Sequence, residues 1–232
     1  MGRAVKPTVL LFDIDGTLVT TGGAGRKAID RAFELLHGRA DACSHFSFSG
    51  MTDRAIARIG LGHIGVEVNE AAIDALITRY VECLREEVVK VPETKYRVHP
   101  GMREAVQAGR AAGMAVGLGT GNVKDGARVK LERVGLYEHF AFGGFGDDHE
   151  LRPELIRRGA QRGLEQLKVR DARVVVIGDT PKDIDAAQAI GAQSVAVATG
   201  GFTLAQLKEA GATWVFETLA EPGALEALLH DR

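Results

Sequence analysis

The chain has 232 residues, of which 45% are hydrophobic and 26% are charged, and its formal net charge is −2. This is the composition of a globular protein with a sizeable core, and the small net charge excludes the broad basic field that holds a nucleic acid or an anionic membrane. The two cysteines, Cys43 and Cys83, have no metal-ligand spacing and are predicted to be reduced thiols. Residues 2–7 are too short and polar for a signal peptide, and we expect a cytoplasmic protein.

The first half of the chain predicts one strand followed by helices. Residues 8–12 (TVLLF) form an apolar run typical of a buried parallel strand, and this run ends at the acidic turn Asp13-Ile14-Asp15-Gly16. Apolar residues at helical spacing then predict helices over residues 24–37 and 69–90, with a short helix over residues 52–59. No strand is predicted between residues 22 and 91.

After the proline-containing linker at residues 91–101, predicted strands and helices alternate. The strands are predicted at residues 114–118, 173–177, 194–198 and 213–216, with helices at 102–112, 125–134, 153–166, 181–190 and 204–210. Such alternation indicates a parallel sheet with helices on both faces. We therefore predict an α/β protein: a Rossmann-like core domain of residues 1–21 and 99–232, with an all-helical cap domain, residues 22–98, inserted after the first strand.

Three polar clusters follow three of the predicted strands, at residues 13–17, 120–122 and 178–183. Ligands of open parallel sheets bind where the strands end, so we expect these clusters to form one site. Their carboxylates would repel one another unless a hard divalent cation lay between them, and oxygen ligands suit Mg²⁺. The cofactor predicted from this pattern is Mg²⁺, held by Asp13, Asp15, Asp179 and Asp183.

The same clusters suit phosphoryl transfer. An aspartate at a strand end can attack phosphorus, and a second aspartate two residues later can protonate the leaving alkoxide and then deprotonate water. The Thr120 hydroxyl and the backbone N–H groups of Gly121 and Asn122 are candidates to cradle the phosphate.

The motifs FDIDGT at residues 12–17 and GDTPKD at 178–183, with Thr120 between them, resemble those of the haloacid dehalogenase superfamily of aspartate-nucleophile phosphatases. The resemblance spans nearly the whole chain; the helical insert falls where one branch carries its cap, and PGMREAV and LERVGLYEHF are similar to segments of phosphoglycolate-phosphatase-like members. It implies that Asp13 is the nucleophile and a Mg²⁺ ligand. It also implies that Asp15 is the acid/base and binds Mg²⁺ through its backbone carbonyl, with Asp179 as a metal ligand and Asp183 as a support.

The cation that pairs with the phosphate departs from the family pattern. The family has a lysine at the position that Arg152 occupies in ELRPEL. Arginine can bind phosphate in a fork but is bulkier than lysine. Lys130, on the helix after Thr120, is the alternative, and we prefer Arg152. In the cap, Arg26, Thr52 and Arg54 are candidates for substrate contacts, although Thr52 also suits a helix start.

The function predicted is hydrolysis of a small phosphorylated metabolite through an aspartyl phosphate on Asp13. The alternatives are a phosphomutase, a dehalogenase and a non-catalytic binding protein on the same fold. A nucleotide-binding dehydrogenase is disfavoured, because no G-x-G-x-x-G motif follows the first strand. No nucleic-acid or membrane partner is expected, and the sequence leaves the substrate open, as well as the choice between monomer and homodimer.

Overall fold

The structure is a computed structural model that describes residues 6–230. The strands are β1 (Thr8–Phe12), β2 (Val19–Thr20), β3 (Arg97–Val98), β4 (Ala115–Gly119), β5 (Gly143–Gly144), β6 (Arg173–Gly178), β7 (Gln193–Val197) and β8 (Trp214–Phe216). The helices are α1 (Ala24–His37), α2 (Asp53–His63), α3 (Glu70–Lys90), α4 (Met102–Ala111), α5 (Lys124–Glu132), α6 (Arg152–Leu167), α7 (Pro181–Ala189), α8 (Leu204–Glu209) and α9 (Ala224–Leu229). Short 3₁₀ turns lie at Glu93–Lys95 and Tyr137–His139.

The core of the molecule is a parallel sheet of six strands in the order β5-β4-β1-β6-β7-β8. The first strand lies in the middle, where Val9 pairs with Ala115 of β4 on one side and with Val174 of β6 on the other. All five residues of β1 are buried. This position explains why the run TVLLF is continuously apolar rather than alternating: helices cover both of its faces.

Alternate side chains of the sheet enter two different cores. Leu10 and Phe12 pack in the cluster that includes residues of α4 and α9, whereas Val9 and Leu11 pack in the cluster that includes residues of α6 and α7. This two-residue period is that of an extended strand covered on both faces. The parallel sheet with helices on both faces is therefore confirmed.

The insert after β1 is helical, as predicted. Helices α1, α2 and α3 pack around their own apolar cluster, which contains Phe33, Leu61, Leu76 and Leu84. Asn69 begins α3, because its side-chain oxygen accepts a hydrogen bond from the Ala72 N–H at 2.9 Å. The predicted helix over residues 52–59 begins at the expected place and continues to His63.

Sequence analysis did not predict four of these elements: β2, β3, β5 and α9. The two segments that join the cap to the sheet are paired as a short antiparallel ribbon, with Val19 opposite Val98 and Thr20 opposite Arg97. The edge strand β5 is a pair of glycines, and α9 was not predicted. Two-residue strands contain too few side chains for a periodic pattern, so only pairing with a neighbour identifies them. Within residues 6–230, no helix is long and apolar enough to cross a membrane.

Candidate active site

The first acidic cluster lies directly after β1, at the carboxyl edge of the sheet. The Asp13 backbone N–H donates to Ile177 O at 2.9 Å, which continues the pairing of β1 with β6 by one residue. Gly16 then turns the chain with φ of +82°, in the left-handed region. A Cβ atom at Gly16 would lie 2.4 Å from Oδ2 of Asp179. Glycine is therefore required here for its conformation and for the close approach of the third cluster.

Three carboxylates from two strand ends meet at this edge. Asp13, Asp179 and Asp183 are buried, and one oxygen of each lies within 4.8 Å of those of the other two. Burial raises the pKa of Asp13 to about 6, a shift that Arg152 opposes and that the Asp183 and Asp15 carboxylates increase. Burial likewise raises the pKa of Asp179, with added repulsion from Asp183 and Asp13. A divalent cation would relieve this repulsion, so the oxygen donor set fits Mg²⁺.

Asp183 does more than one task. Its Oδ2 atom accepts hydrogen bonds from the Thr180 N–H at 3.1 Å and the Thr180 hydroxyl at 2.7 Å, which completes a capping box at the start of α7. Its Oδ1 atom accepts from Nε of Arg152 at 2.9 Å. Asp183 therefore both caps α7 and belongs to the carboxylate cluster. Because both of its oxygens already accept hydrogen bonds, it suits a supporting role better than that of a direct metal ligand.

Arg152 lies beside the predicted nucleophile. Arg152 is the first residue of α6, and its side chain is only 6% exposed. Its Nη2 atom is 3.0 Å from Oδ2 of Asp13 and 2.6 Å from Oδ1 of Asp183. These are ion pairs by distance, although Nη2 has no aligned hydrogen bond to either oxygen. The contact at Nη2 is therefore mainly electrostatic, and the guanidinium places its positive charge between Asp13 and Asp183, where a phosphate oxygen could also approach it.

Lys130 lies on the other side of the site, against Asp15. Its side chain is 4% exposed, and Nζ donates to Oδ2 of Asp15 at 2.6 Å and to Oδ1 of Asn122 at 2.5 Å. Burial alone lowers the pKa of Lys130, but the Asp15 carboxylate, Tyr80 and Asp53 raise it above its ordinary value, so the amine stays charged. The two candidate cations thus face different aspartates. The Asp15 side chain is not part of the carboxylate cluster; its predicted metal contact was through the backbone carbonyl.

The second polar cluster forms a loop after β4. Its Thr120 N–H donates to Gly144 O of β5 at 3.0 Å, and Nδ2 of Asn122 donates to Thr120 Oγ1 and to Asp15 Oδ2, both at 2.9 Å. The Asn122 N–H donates to Thr120 Oγ1 at 3.3 Å. Thr120 and Asn122 therefore first serve to fix the loop and Asp15, while the Thr120 hydroxyl proton remains a candidate donor to phosphate.

A cavity of about 320 Å³ lies between this edge and the cap. The polar side chains that the core contributes to its lining include Asp13, Asp15, Asn122, Lys130, Arg152 and Asp179. The cap closes it with mostly apolar side chains: Ile29, Phe48, Met51, Ile56 and Tyr80. Sequence analysis did not identify these cap residues: Ile29, Ile56 and Tyr80 have the helical spacing that predicts a helical core, and Phe48 and Met51 lie in a loop without a periodic pattern. Only the packed structure shows that some of them face the site.

The three cap candidates have different positions. Arg26 lines the cavity, with its guanidinium 4.4 Å from the Phe48 ring centroid and Nε 3.0 Å from Asp30. Thr52 and Arg54 do not line it. Thr52 accepts from the Ala55 N–H at 3.2 Å as the cap of α2, and its hydroxyl is 3.3 Å from Glu150 O.

Arg54 pairs with Glu70 and with Asp74, away from the cavity. Substrate contacts by Thr52 and Arg54 stay predictions that these positions do not support: the first caps a helix and the second belongs to a surface ion-pair network. Thr52 and Arg54 come directly after the loop of residues 48–51, which lines the cavity. Because α2 begins at Asp53, their side chains point away from the cavity.

Sequence analysis did not identify the buried residue between Thr52 and Arg54, Asp53, as part of the site. Asp53 accepts a hydrogen bond on Oδ2 from the Val123 N–H at 2.8 Å, and its own N–H donates to Gly121 O at 2.8 Å. A Cβ atom at Gly121 would lie 2.3 Å from Met51 O. The cap loop is thus packed directly on the polar loop of the core, and an acid at the first position of a helix gave no signal of this.

Comparisons with known proteins agree with this geometry. The family model described as haloacid dehalogenase-like hydrolase matches residues 7–191. The probable phosphatase IndB of Dickeya dadantii is 30% identical over 97% of this chain and 96% of its own, and a phosphoglycolate phosphatase of Rhodospirillum rubrum is 26% identical over 94% of this chain and 90% of its own. The crystal structure of CbbY from Rhodobacter sphaeroides in complex with phosphate superposes with a TM-score of 0.71 at 18% identity, covering 95% of this chain and 99% of that chain.

The match extends from β1 to the end of α7 and so includes all three polar clusters at the edge of the sheet. The order of the clusters along the chain, the central position of β1 and the buried carboxylates agree with the sequence resemblance. This chain belongs to the haloacid dehalogenase-like hydrolase family.

Proposed function

We propose that the protein is a Mg²⁺-dependent phosphoric monoester hydrolase that acts through an aspartyl phosphate on Asp13. The observation that carries the proposal is the arrangement at the end of β1. There the buried Asp13 carboxylate lies 3.0 Å from the Arg152 guanidinium, while Asp15, two residues later, borders the same cavity. Relatives named as phosphatases support the reaction class.

The metal would be held by Asp13 and Asp179, by the backbone carbonyl of Asp15, and by Asp183 as a support. When bound, Mg²⁺ supplies the positive charge that lets an anionic carboxylate approach an anionic phosphate. Burial, and after it repulsion from the neighbouring carboxylates, raises the pKa of Asp13 and of Asp179, so a cation at this edge would favour their ionised forms.

The chain's own residues perform the two displacements. An oxygen of Asp13 forms a bond to phosphorus as the bond from phosphorus to the leaving oxygen breaks, and Asp15 donates a proton to that oxygen. Asp15, now ionised, then removes a proton from water as the water attacks the aspartyl phosphate, which restores Asp13 and releases phosphate. Arg152 balances the charge of the phosphoryl oxygens in both steps.

The cavity limits the substrate to a small phosphorylated metabolite. Beyond the reacting edge, the cap offers a mainly apolar wall, with Ser49, the buried Asp53 and the cation Arg26, which already pairs with Asp30. We propose a compact leaving group that is held mainly by packing against Phe48 and Tyr80.

The direct test is phosphate release from a panel of small phosphomonoesters, with the metal varied. We expect turnover with Mg²⁺ and none in excess EDTA, and we expect Asp13→Asn to retain less than about a tenth of the wild-type kcat, a barrier increase above about 1.4 kcal/mol. Activity that persists undiminished in EDTA would overturn the proposal. Formation of a phosphate isomer without phosphate release would indicate a mutase instead.

A further inference from the structure

Lys130 has a buried amine to which the proposed reaction assigns no role. Its donors are directed at Oδ2 of Asp15 and at Oδ1 of Asn122, at 2.6 and 2.5 Å. Nδ2 of Asn122 donates to the same Asp15 oxygen at 2.9 Å. Lys130, Asn122 and Asp15 therefore form a closed triangle of hydrogen bonds around one carboxylate oxygen.

The triangle fixes a side chain that would otherwise be mobile. Asp15 is 44% exposed, whereas Lys130 is 4% exposed. An exposed carboxylate samples several rotamers, and two donors on Oδ2 restrict it to one orientation, while Oδ1 takes no part in these bonds. A buried, charged partner is the more rigid member of the pair and sets the geometry.

The cap covers the Lys130 amine on the side away from the sheet. A Cβ atom at Gly25 of α1 would lie 3.4 Å from Nζ of Lys130 and 3.8 Å from the Tyr80 hydroxyl of α3. Asp53 of α2 also acts on the charge of the amine. The Lys130 side chain is thus held by Asp15 and Asn122 of the core and lies under Gly25 of α1, so it has little freedom to move toward a phosphate beside Asp13.

We propose that Lys130 is a positioning residue that holds Asp15 in the orientation for proton transfer to the leaving oxygen. This role rests on the proposed phosphatase function, and it differs from that of Arg152, which faces the nucleophile. A phosphate-binding cation would act on every substrate alike. A residue that positions the general acid matters most when the leaving oxygen is a poor leaving group.

The test compares leaving groups. In Lys130→Met, kcat/KM reports the step up to departure of the leaving group, and general acid catalysis typically contributes about 10²–10⁴-fold to such a step. We expect kcat/KM to fall at least about tenfold more for an alkyl phosphate than for p-nitrophenyl phosphate, whose phenolate leaves with little protonation. Lys124→Met, an exposed lysine on the same helix, is the matched control and should leave both values unchanged.

A double-mutant cycle completes the test. If Lys130 acts through Asp15, Lys130→Met in an Asp15→Asn background should cause little further loss with the alkyl phosphate. Equal losses for the two substrates, or additive losses in the double variant, would overturn the inference. Thermal unfolding checks the fold, and Lys130→Gln serves if the methionine variant does not fold. A wild-type enzyme that releases phosphate from neither substrate would instead overturn the proposed function.

Discussion

At the scale of single residues, the site divides its positive charge between two buried side chains. Arg152 lies against Asp13 and Asp183, while Lys130 lies against Asp15. In the proposed reaction this division matters, because Asp13 would have to meet an anionic phosphate, whereas Asp15 would have to be oriented for proton transfer. Each cation therefore has its own expected phenotype.

Removal of Arg152 should affect all substrates. We expect Arg152→Ala to lower kcat/KM at least about 100-fold for alkyl and aryl phosphates alike, because loss of one preorganised charge at the transferring group costs about 3 kcal/mol or more. Arg152→Lys, which keeps the charge but not the planar fork, should recover part of the loss. Steady-state kinetics with an alkyl and an aryl phosphate measures kcat/KM of each variant. A loss in kcat/KM below about tenfold in Arg152→Ala would contradict the role of Arg152 as the phosphate-pairing cation.

Gly16 gives a second test at this scale. A Cβ atom at this position would meet Asp179 at 2.4 Å, so we expect Gly16→Ala to displace that carboxylate and weaken Mg²⁺ binding by about 10–100-fold. Calorimetric titration with Mg²⁺ measures the effect. Gly113→Ala is the matched control, since Gly113 also has a positive φ, +73°, but nothing lies within 4 Å of its Cβ position. Equal Mg²⁺ affinity in the two variants would refute the steric explanation.

At the scale of elements, the start of α2 joins the cap to the core. Asp53 accepts from the Val123 N–H at the start of α5, and Lys182 of α7 donates to Ser49 O at 3.0 Å. Burial raises the pKa of Asp53 to about 6, although Lys130 and the Val123 N–H oppose the shift. Ionisation of the buried Asp53 carboxylate thus lowers the stability of the folded protein, and packing and the two hydrogen bonds of Asp53 with the backbone of the core offset this loss.

The raised pKa of Asp53 predicts that the free energy of unfolding depends on pH. The folded protein binds the Asp53 proton more tightly than the unfolded chain, whose pKa is 3.8, so the contribution of Asp53 to stability falls as pH rises from about 4 to about 6. We expect Asp53→Asn, which can still accept the Val123 N–H, to gain stability relative to wild type over this range, by on the order of 3 kcal/mol at most.

Urea unfolding of both proteins at pH 4 and pH 7 measures the difference. Asp125→Asn, an exposed acid on α5, is the control for a general change in charge. A difference between Asp53→Asn and wild type that stays constant with pH, or that shrinks as pH rises, would contradict the predicted burial of an ionised group.

At the scale of the whole molecule, we expect the cap to move as a lid. Its two chain connections to the core are paired as the ribbon of β2 and β3. Its contacts with the polar loop, with α5, with α7 and with Glu150 would have to break when it opens. The cavity is enclosed on one side by the cap, so entry of substrate and exit of phosphate require it to open.

A reversible cross-link tests this motion. Lys182 Nζ reaches the Ser49 backbone O across the cleft, so Ser49→Cys with Lys182→Cys, bridged by a short bis-methanethiosulfonate reagent that forms a disulfide with each thiol, should hold the cap closed. We expect turnover to fall at least about tenfold when joined and to return on reduction, because product release would be blocked. Each single-cysteine variant, treated in the same way, is the control. Unchanged kcat in a protein shown to be fully joined would mean that the cap is not a moving lid.

Much of the fold was determined by local sequence. The apolar run of β1, the helical periodicities of the cap and the later alternation of strands and helices sufficed for the architecture, because each element contains its own repeated pattern. The acidic clusters could be placed at one edge, because parallel strands all end on the same side of a sheet. The ribbon of β2 and β3 and the edge strand β5 could not be predicted, since their partners are distant in the chain.

The tertiary structure alone decided how the polar residues are paired. Sequence analysis treated Arg152 and Lys130 as rivals for one role, because charge and position along the chain do not show which carboxylate each one reaches. The folded chain brings Lys130 to Asp15 across 115 residues and Arg152 to Asp183 across 31, contacts set by how α5 and α6 pack against the sheet. The sequence determined the elements and the chemical groups that they carry; packing between elements determined which of these groups meet.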